Sequence, residues 1–443
     1  MMLLRAFMNI NLRVPYSSMP SSPRSPHMAF YSPAKSDFLF DGNDPVLICC
    51  QPYHRSVSLA WSLCRNSVRA PLAQGHVVPG LDNTYTIEID MDSYSPGFYD
   101  LHVRLSLSGE QFLDGITAFA WHCEEESLVV TVPTDFDEFW NEAMASVARC
   151  PLDIQRTHFA RLNRADIDAY NYTTAGLPEG YDPEGEIYDS VDIYRLSFAS
   201  PSGSRIHGWL TTPSEPGCYP GMLVLPGAGN FGRPAPVEHA RHGYAALDIQ
   251  MHGFEPDLDH YPDLPHSQLS TPCDYSGYAI YLNALQAVNA LVSQPEVDAN
   301  RLCAVGGSQG GRLSIVTAAL DHRIKAAVPA ISHFAYLSWQ RWTQRCNDEG
   351  LNGTAPFSAD DVVDDLQNQI ESYFDIVNFA PLVRCPVLMN MGLIDHISPP
   401  TSIHAAYRRL TGERQMVSLP TYGHDWSVAF DRYAWRWLAE RLG

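Results

Sequence analysis

The stretch Leu302-Cys-Ala-Val-Gly306-Gly-Ser308-Gln309-Gly310-Gly-Arg-Leu-Ser-Ile-Val-Thr-Ala-Ala-Leu320 leaves the chain very few paths. A short apolar run enters a glycine-rich turn, and an apolar periodic segment without proline leaves it, which reads as strand, sharp turn, helix. A serine at the apex of such a turn takes strained backbone angles. Side chains two places before or after it would collide with the adjoining strand and helix, so glycines at 306 and 310 have a steric reason. The turn lifts the Ser308 hydroxyl above the sheet edge as a candidate nucleophile. The N–H groups that open the helix, Gln309 first, point toward any developing oxyanion. An ordinary glycine-rich β–α connection is the competing reading, and the flanking strand and helix weigh against it.

The rest of the chain supplies a frame for that turn. From Gly221 onward strands alternate with helices, the mark of a mainly parallel sheet covered on both faces. The strands are read at Met222–Pro226, Ala245–Met251, Leu302–Val305, Ile324–Ser332, Pro386–Asp395 and Gln415–Leu419, with helices at Tyr278–Leu291 and Trp426–Leu442. Two insertions, Glu255–Cys273 and Phe334–Asp375, read as irregular. Between Pro45 and Val132 the pattern is different. Period-two segments at Ser56–Leu63, Thr84–Asp90, Gly97–Leu105, Ala118–Trp121 and Leu128–Val132 lie between turn clusters, which predicts a β-sandwich. Its aromatics Trp61, Phe98, Tyr99 and Trp121 are expected to pack in the core. A helix starting near Pro133, capped by Thr134 or Asp135 and carrying Phe139, Trp140 and Met144 on one face, marks the boundary. The loop-rich span Thr173–Gly185 leads into strands at Val191–Phe198 and Arg205–Thr211. The expected organisation is therefore a disordered or processed lead at 1–40, with Met28 as a second candidate start, a smaller N-terminal β-sandwich at 41–132, and an α/β unit at 133–443.

Composition narrows the partners. The formal net charge of −21 repels nucleic acid and anionic membranes, so neither is expected. No segment has the apolar length of a signal-peptide core or a membrane span, which favours a cytoplasmic location. The ten cysteines contain no C-x-x-C pair, and Cys303 and Cys385 sit in apolar runs as buried thiols. The seventeen histidines form no H-E-x-x-H or comparable ligand spacing, so no metal or cofactor is expected.

In an open parallel sheet reactive groups gather beyond the carboxyl ends of the strands. Ser308, Asp395 and His424 all fall there, in the order serine, acid, histidine that the α/β-hydrolase fold uses. A serine hydroxyl is a poor nucleophile at neutral pH. His424 would take its proton during attack and return it to the leaving alcohol, while Asp395 would hold the imidazole tautomer and stabilise the charged ring. Asp425 adjoins His424 and cannot readily fold back onto that ring. His252, His333 and His396 are read as structural or pocket-lining. The backbone N–H of Gln309 is one oxyanion donor, and that of Ala228, in Pro226-Gly-Ala-Gly-Asn230, is the expected second. A triad alone does not separate an esterase from a serine peptidase or thioesterase, or from a binding protein that kept the scaffold.

The motifs taken together resemble a family: acetyl xylan esterases and cephalosporin C deacetylases, carbohydrate esterase family 7. The resemblance runs from about Asp135 to the last residues. It rests on Asp135-Phe-Asp-Glu-Phe-Trp140, Gly306-Gly-Ser-Gln-Gly-Gly311, Tyr373-Phe-Asp-Ile-Val-Asn-Phe-Ala380, Pro386-Val-Leu-Met, Gly392-Leu-Ile-Asp395 with Pro399-Pro400, and Tyr422-Gly-His424. It implies a metal-free serine esterase that removes acetyl groups from small acetylated sugars, xylooligosaccharides or similar alcohols. By position it carries over Ser308, Asp395 and His424, with Gln309 as an oxyanion donor. Much of the family places the other donor in a His-Gly-Tyr stretch, where this chain has Pro226-Gly227-Ala228; Ala228 keeps the N–H but not the tyrosine ring. Family members often form ring-like hexamers, which implies a homo-oligomer, although the sandwich and the two insertions keep that geometry from being carried over. The chain looks closer to a longer branch of bacterial polysaccharide-utilisation esterases with an N-terminal β domain.

Overall fold

The computed structural model describes residues 28–42, 44–53, 57–107, 112–173, 188–264 and 270–443. The loop-rich span read at 173–185 and the centre of the Glu255 insertion fall almost wholly outside them. Among the described residues the first part of the chain contributes β1 (Met28–Tyr31), β2 (Leu39–Phe40), β3 (Val46–Pro52), β4 (Ser58–Arg65), β5 (Ala73–Val77), β6 (Tyr85–Ile89), β7 (Gly97–Ser106) and β8 (Phe112–Trp121). They form a three-stranded sheet, β1-β3-β6, facing a five-stranded sheet, β2-β8-β7-β4-β5. Ile48 and Ile87 from one sheet and Leu59, Leu101 and Phe119 from the other are fully buried in one core. Alternation explains the arrangement: on β7, Leu101, Val103 and Leu105 point inward while His102 and Arg104 point out. Phe98, Tyr99 and Trp121 are buried, whereas Trp61 is only partly covered.

Part of the stretch assigned above to the lead belongs to these sheets, as β1 and β2, with Met28, Phe30, Phe38 and Phe40 buried. The run Met28–Tyr31 is too short for alternation to be read, and its partner, β3, lies some twenty residues on, pairing Met28 with Pro52. A second expectation also changes. Leu128–Val132 alternates like a strand but joins no sheet. Its backbone is held by side chains instead: Val129 N–H donates to the Tyr336 hydroxyl (2.9 Å), and Thr131 O accepts from Asn378 Nδ2 (2.8 Å).

The helix Phe136–Arg149 follows, with Trp140 buried against Phe374, Phe379 and Tyr281. Asp135 occupies its N-cap position, but its carboxylate accepts from the Tyr373 hydroxyl (2.5 Å) rather than from the helix. Then come β9 (Gln155–Asn163), β10 (Ser190–Ala199), β11 (Arg205–Pro213), β12 (Tyr219–Leu225), β13 (Ala245–Gln250), β14 (Val297–Gly307), β15 (Ile324–Ala330), β16 (Val387–Gly392) and β17 (Arg414–Leu419). They make one sheet in the order β17-β16-β15-β14-β12-β13-β11-β10-β9. From β13 to β17 the neighbours are parallel, and β11, β10 and β9 complete it antiparallel. This is the α/β-hydrolase fold preceded by a smaller β-sandwich.

Both faces of the sheet are covered. Met222, Ala246, Cys303, Ala326 and Leu388 pack against the helix Val428–Leu442. Their neighbours Leu223, Leu247, Leu302 and Ala327 face the helices Ser276–Val292 and Gln309–Leu320. Burial pushes the Cys303 and Cys385 thiols up, Cys385 to about 11. The Phe334 insertion is more ordered than its sequence suggests: Leu337–Glu349 and Leu366–Ser372 are helices. The buried carboxylate of Asp375 organises it by accepting from Tyr336, Leu337 and Val377 N–H (2.9, 2.8 and 3.0 Å). Among the described residues no helix is long and apolar enough to cross a membrane.

Candidate active site

Strand order reverses at β12, with β13 parallel to it on one side and β14 on the other. A crevice opens above such a switch point, and the carboxyl ends of β12 and β14 border it. Ser308 stands at the end of β14 with φ 58° and ψ −117°, in the positive-φ region that a residue with a side chain rarely occupies. The turn is over-determined by its surroundings. Ser308 N–H donates to Ala330 O (3.0 Å), and its carbonyl accepts from His333 N–H and Arg312 N–H (3.1 Å each). A Cβ on Gly306 would press on Leu225 O and lie 2.8 Å from the Gly310 carbonyl carbon; one on Gly310 would run into Leu225 O. Only hydrogen at these positions lets the helix Gln309–Leu320 rise so close to β12.

The acid and the histidine arrive from the next strands. Asp395 follows β16, is fully buried, and accepts from Ile397 and Ser398 N–H through Oδ1 (2.8 Å each). His424 follows β17. Backbone bonds Leu393 N to Leu419 O and Ile394 N to Tyr422 O (3.1 Å each) tie the two loops together. A Cβ on Gly392 would lie 2.9 Å from the Tyr422 carbonyl carbon, so glycine there lets the histidine loop settle on the acid strand. His424 Nδ1 lies 2.8 Å from Asp395 Oδ2, and His424 Nε2 lies 2.9 Å from Ser308 Oγ. Because the carboxylate only accepts, Nδ1 carries the proton and Nε2 is left to accept the Ser308 O–H. The structure thus brings Ser308, His424 and Asp395 into one hydrogen-bonded chain, with Ser308 8% and His424 9% exposed.

Gln309 opens the helix, and its backbone N–H therefore has no intrahelical acceptor. Ala228 lies exposed on the loop after β12. That loop reaches the turn through Gly227, whose carbonyl accepts from Gln309 Nε2 (3.4 Å), and is held on its far side by Asn230, which donates to Pro262 O (2.6 Å) and accepts from Gln250 Nε2 (2.7 Å). Among the rival histidines, His333 adjoins the site, its Nδ1 3.4 Å from Ser398 Oγ. Burial, with the nearby Arg312 and His424, lowers its pKa to about 4. His396 is exposed beside the acid, and His252 meets the backbone of Gly229. No group of three or more His, Cys, Asp or Glu side chains converges as a metal site among the described residues.

Sequence reasoning missed the Ile397 and Ser398 N–H groups that hold Asp395, although an aspartate two and three residues ahead of them is a local turn signal. It also missed Arg312, which the linear sequence gives no reason to single out.

The fold and the sheet-edge constellation define an α/β hydrolase. The acetyl xylan esterase (AXE1) family model matches residues 127–441, so the chain belongs to the acetyl xylan esterase family and is a carboxylic ester hydrolase. An acetyl esterase of Xylanibacter ruminicola is 28% identical over 385 residues, covering 80% of this chain and 77% of that protein. An acetyl xylan esterase of Paenibacillus superposes with a TM-score of 0.54 at 27% identity, over 72% of this chain and 98% of the other. A Thermoanaerobacterium acetyl xylan esterase shares the fold at a TM-score of 0.56 and 21% identity, again over 72% and 98%.

Proposed function

We propose that this esterase removes acetyl groups from small acetylated sugars, xylooligosaccharides or similar alcohols by way of an acyl-enzyme on Ser308. As Ser308 Oγ attacks the ester carbonyl, His424 Nε2 takes its proton, and Asp395 stabilises the imidazolium that forms. The oxyanion is received by the backbone N–H groups of Gln309 and Ala228. Collapse expels the alcohol, which is protonated by His424. Water then attacks the acetyl carbonyl with His424 as base, releasing acetate and restoring the hydroxyl. The observation that carries this reading is the imidazole held at 2.9 Å from the serine oxygen and 2.8 Å from a buried carboxylate. Membership of the acetyl xylan esterase family supports acetyl as the acyl group.

Ser308→Ala is expected to abolish p-nitrophenyl acetate hydrolysis while the far-UV spectrum and melting temperature stay unchanged; wild-type turnover in that variant would end the proposal. Assays of acetylated xylooligosaccharides, other acetylated sugars and cephalosporin C side by side identify the alcohol. Rates should fall steeply beyond propionyl, and equal rates on octanoyl esters would contradict a small acyl pocket.

A further inference from the structure

We propose that Arg312 and the side chain of Gln309 form a relay that aims the second oxyanion donor. Gln309 is 7% and Arg312 6% exposed, so both are removed from water just behind the nucleophile turn. Arg312 Nη2 donates to Gln309 Oε1 (3.0 Å), and Gln309 Nε2 donates to Gly227 O (3.4 Å). The polarity of this chain is fixed by chemistry. A guanidinium only donates, so it captures the amide oxygen of Gln309 and turns the NH₂ toward Gly227, whose carbonyl only accepts. The peptide between Gly227 and Ala228 is planar and trans, so anchoring its carbonyl on one side directs the Ala228 N–H to the other. The loop needs such an anchor, because it is exposed at Ala228 and passes through φ 119° at Gly229. Arg312 is held in turn by ring faces, 4.7 Å above Phe334 and 5.5 Å from Tyr281. Its Nε finds no acceptor among the described residues, and burial of a guanidinium on largely neutral partners is costly. A leucine would fill that space at less cost but would leave the Gln309 amide free to flip.

The relay rests on the esterase reading, and the experiment separates the two. Gln309→Leu keeps the backbone donor of residue 309 and cuts the relay; Arg312→Met frees the amide; Gln309→Glu sets a carboxylate against the Gly227 carbonyl. With p-nitrophenyl acetate, Gln309→Leu and Arg312→Met should lower kcat about 10- to 100-fold, a fraction of what losing an oxyanion donor costs. KM should stay within about threefold, because the interaction gains strength only in the transition state. Gln309→Glu should be the slowest of the three. All should keep full stoichiometric labelling of Ser308 by a fluorophosphonate, which reports an intact nucleophile. Ala228→Pro removes the N–H itself, and combining it with Gln309→Leu should add no further loss. The relay is overturned if Gln309→Leu turns over at the wild-type rate, if the two losses multiply, or if kcat falls only in step with labelling and melting temperature. Absence of Ser308 labelling in the wild type would refute the esterase mechanism instead.

Discussion

Replacing Asp395 by asparagine disturbs the proton relay heavily at little structural cost. Asp395 Oδ1 receives two backbone N–H groups, from Ile397 and Ser398. An asparagine must leave its carbonyl oxygen there, since turning the amide would face NH₂ against two donors. Its Nδ2 then faces His424 Nδ1, now 2.8 Å from a donor instead of an acceptor. The ring answers by moving its proton to Nε2, where it points at Ser308 Oγ and cannot take the hydroxyl proton. The side chains are nearly isosteric and the backbone bonds survive, so the melting temperature should hardly move. In serine proteases the equivalent change lowers kcat about 10⁴-fold, which corresponds to about 5 kcal/mol at 1.36 kcal/mol per decade. The assay is steady-state hydrolysis of p-nitrophenyl acetate at pH 7.5, with thermal unfolding as the control. A loss of less than about tenfold would mean that the tautomer is not set by Asp395.

Other outcomes follow from the same contacts. Gly310→Ala should destabilise by about 2 kcal/mol in urea titrations and slow turnover: the gain in helix propensity is about 1 kcal/mol, but the new methyl meets only backbone, Leu225 O and the carbonyl carbons of Leu225 (2.9 Å) and Pro226 (3.3 Å). A more stable variant would contradict this. Arg65→Met should cost about 3 to 5 kcal/mol, because it strands Glu126, paired at 2.6 Å with side chains 4% and 8% exposed. Burial already raises the Glu126 carboxyl, so the deficit should shrink as pH falls and the carboxyl protonates, and Arg65→Met with Glu126→Gln should recover part of it. His333 has a folded pKa of about 4 against an ordinary 6.5, so its neutral form contributes stability that is complete above 6.5 and lost as pH falls toward 4. The loss is at most ~3 kcal/mol, and His333→Asn should flatten the stability curve across that window.

What could be read from the sequence was what local chemistry encodes. The run Leu302–Val305, the glycines at 306 and 310 and the proline-free helix after them describe a turn that needs no distant partner. The parallel strands were legible for a similar reason: Met222–Leu225 and Ala245–Leu247 are apolar on both faces because helices cover both. The failures are long-range. β9 has a largely exposed, polar face as the edge of the sheet, so no apolar pattern announces it. Leu128–Val132 has the alternation of a strand, yet its partners are Tyr336 and Asn378, some 200 residues away in sequence. The helix Leu337–Glu349 begins where Asp375, 38 residues on, accepts the Leu337 N–H. At the site, chain order pointed to Ser308, Asp395 and His424, but the link from Gln309 to Gly227 spans 82 residues and exists only once β12 and β14 are neighbours.

The most direct measurement is to trap the covalent step. Incubation with a fluorophosphonate, followed by peptide mass mapping, should place a single adduct on Ser308, with labelling slowed severely in His424→Ala. An adduct on another residue, or equal labelling rates with and without the imidazole, would contradict the account.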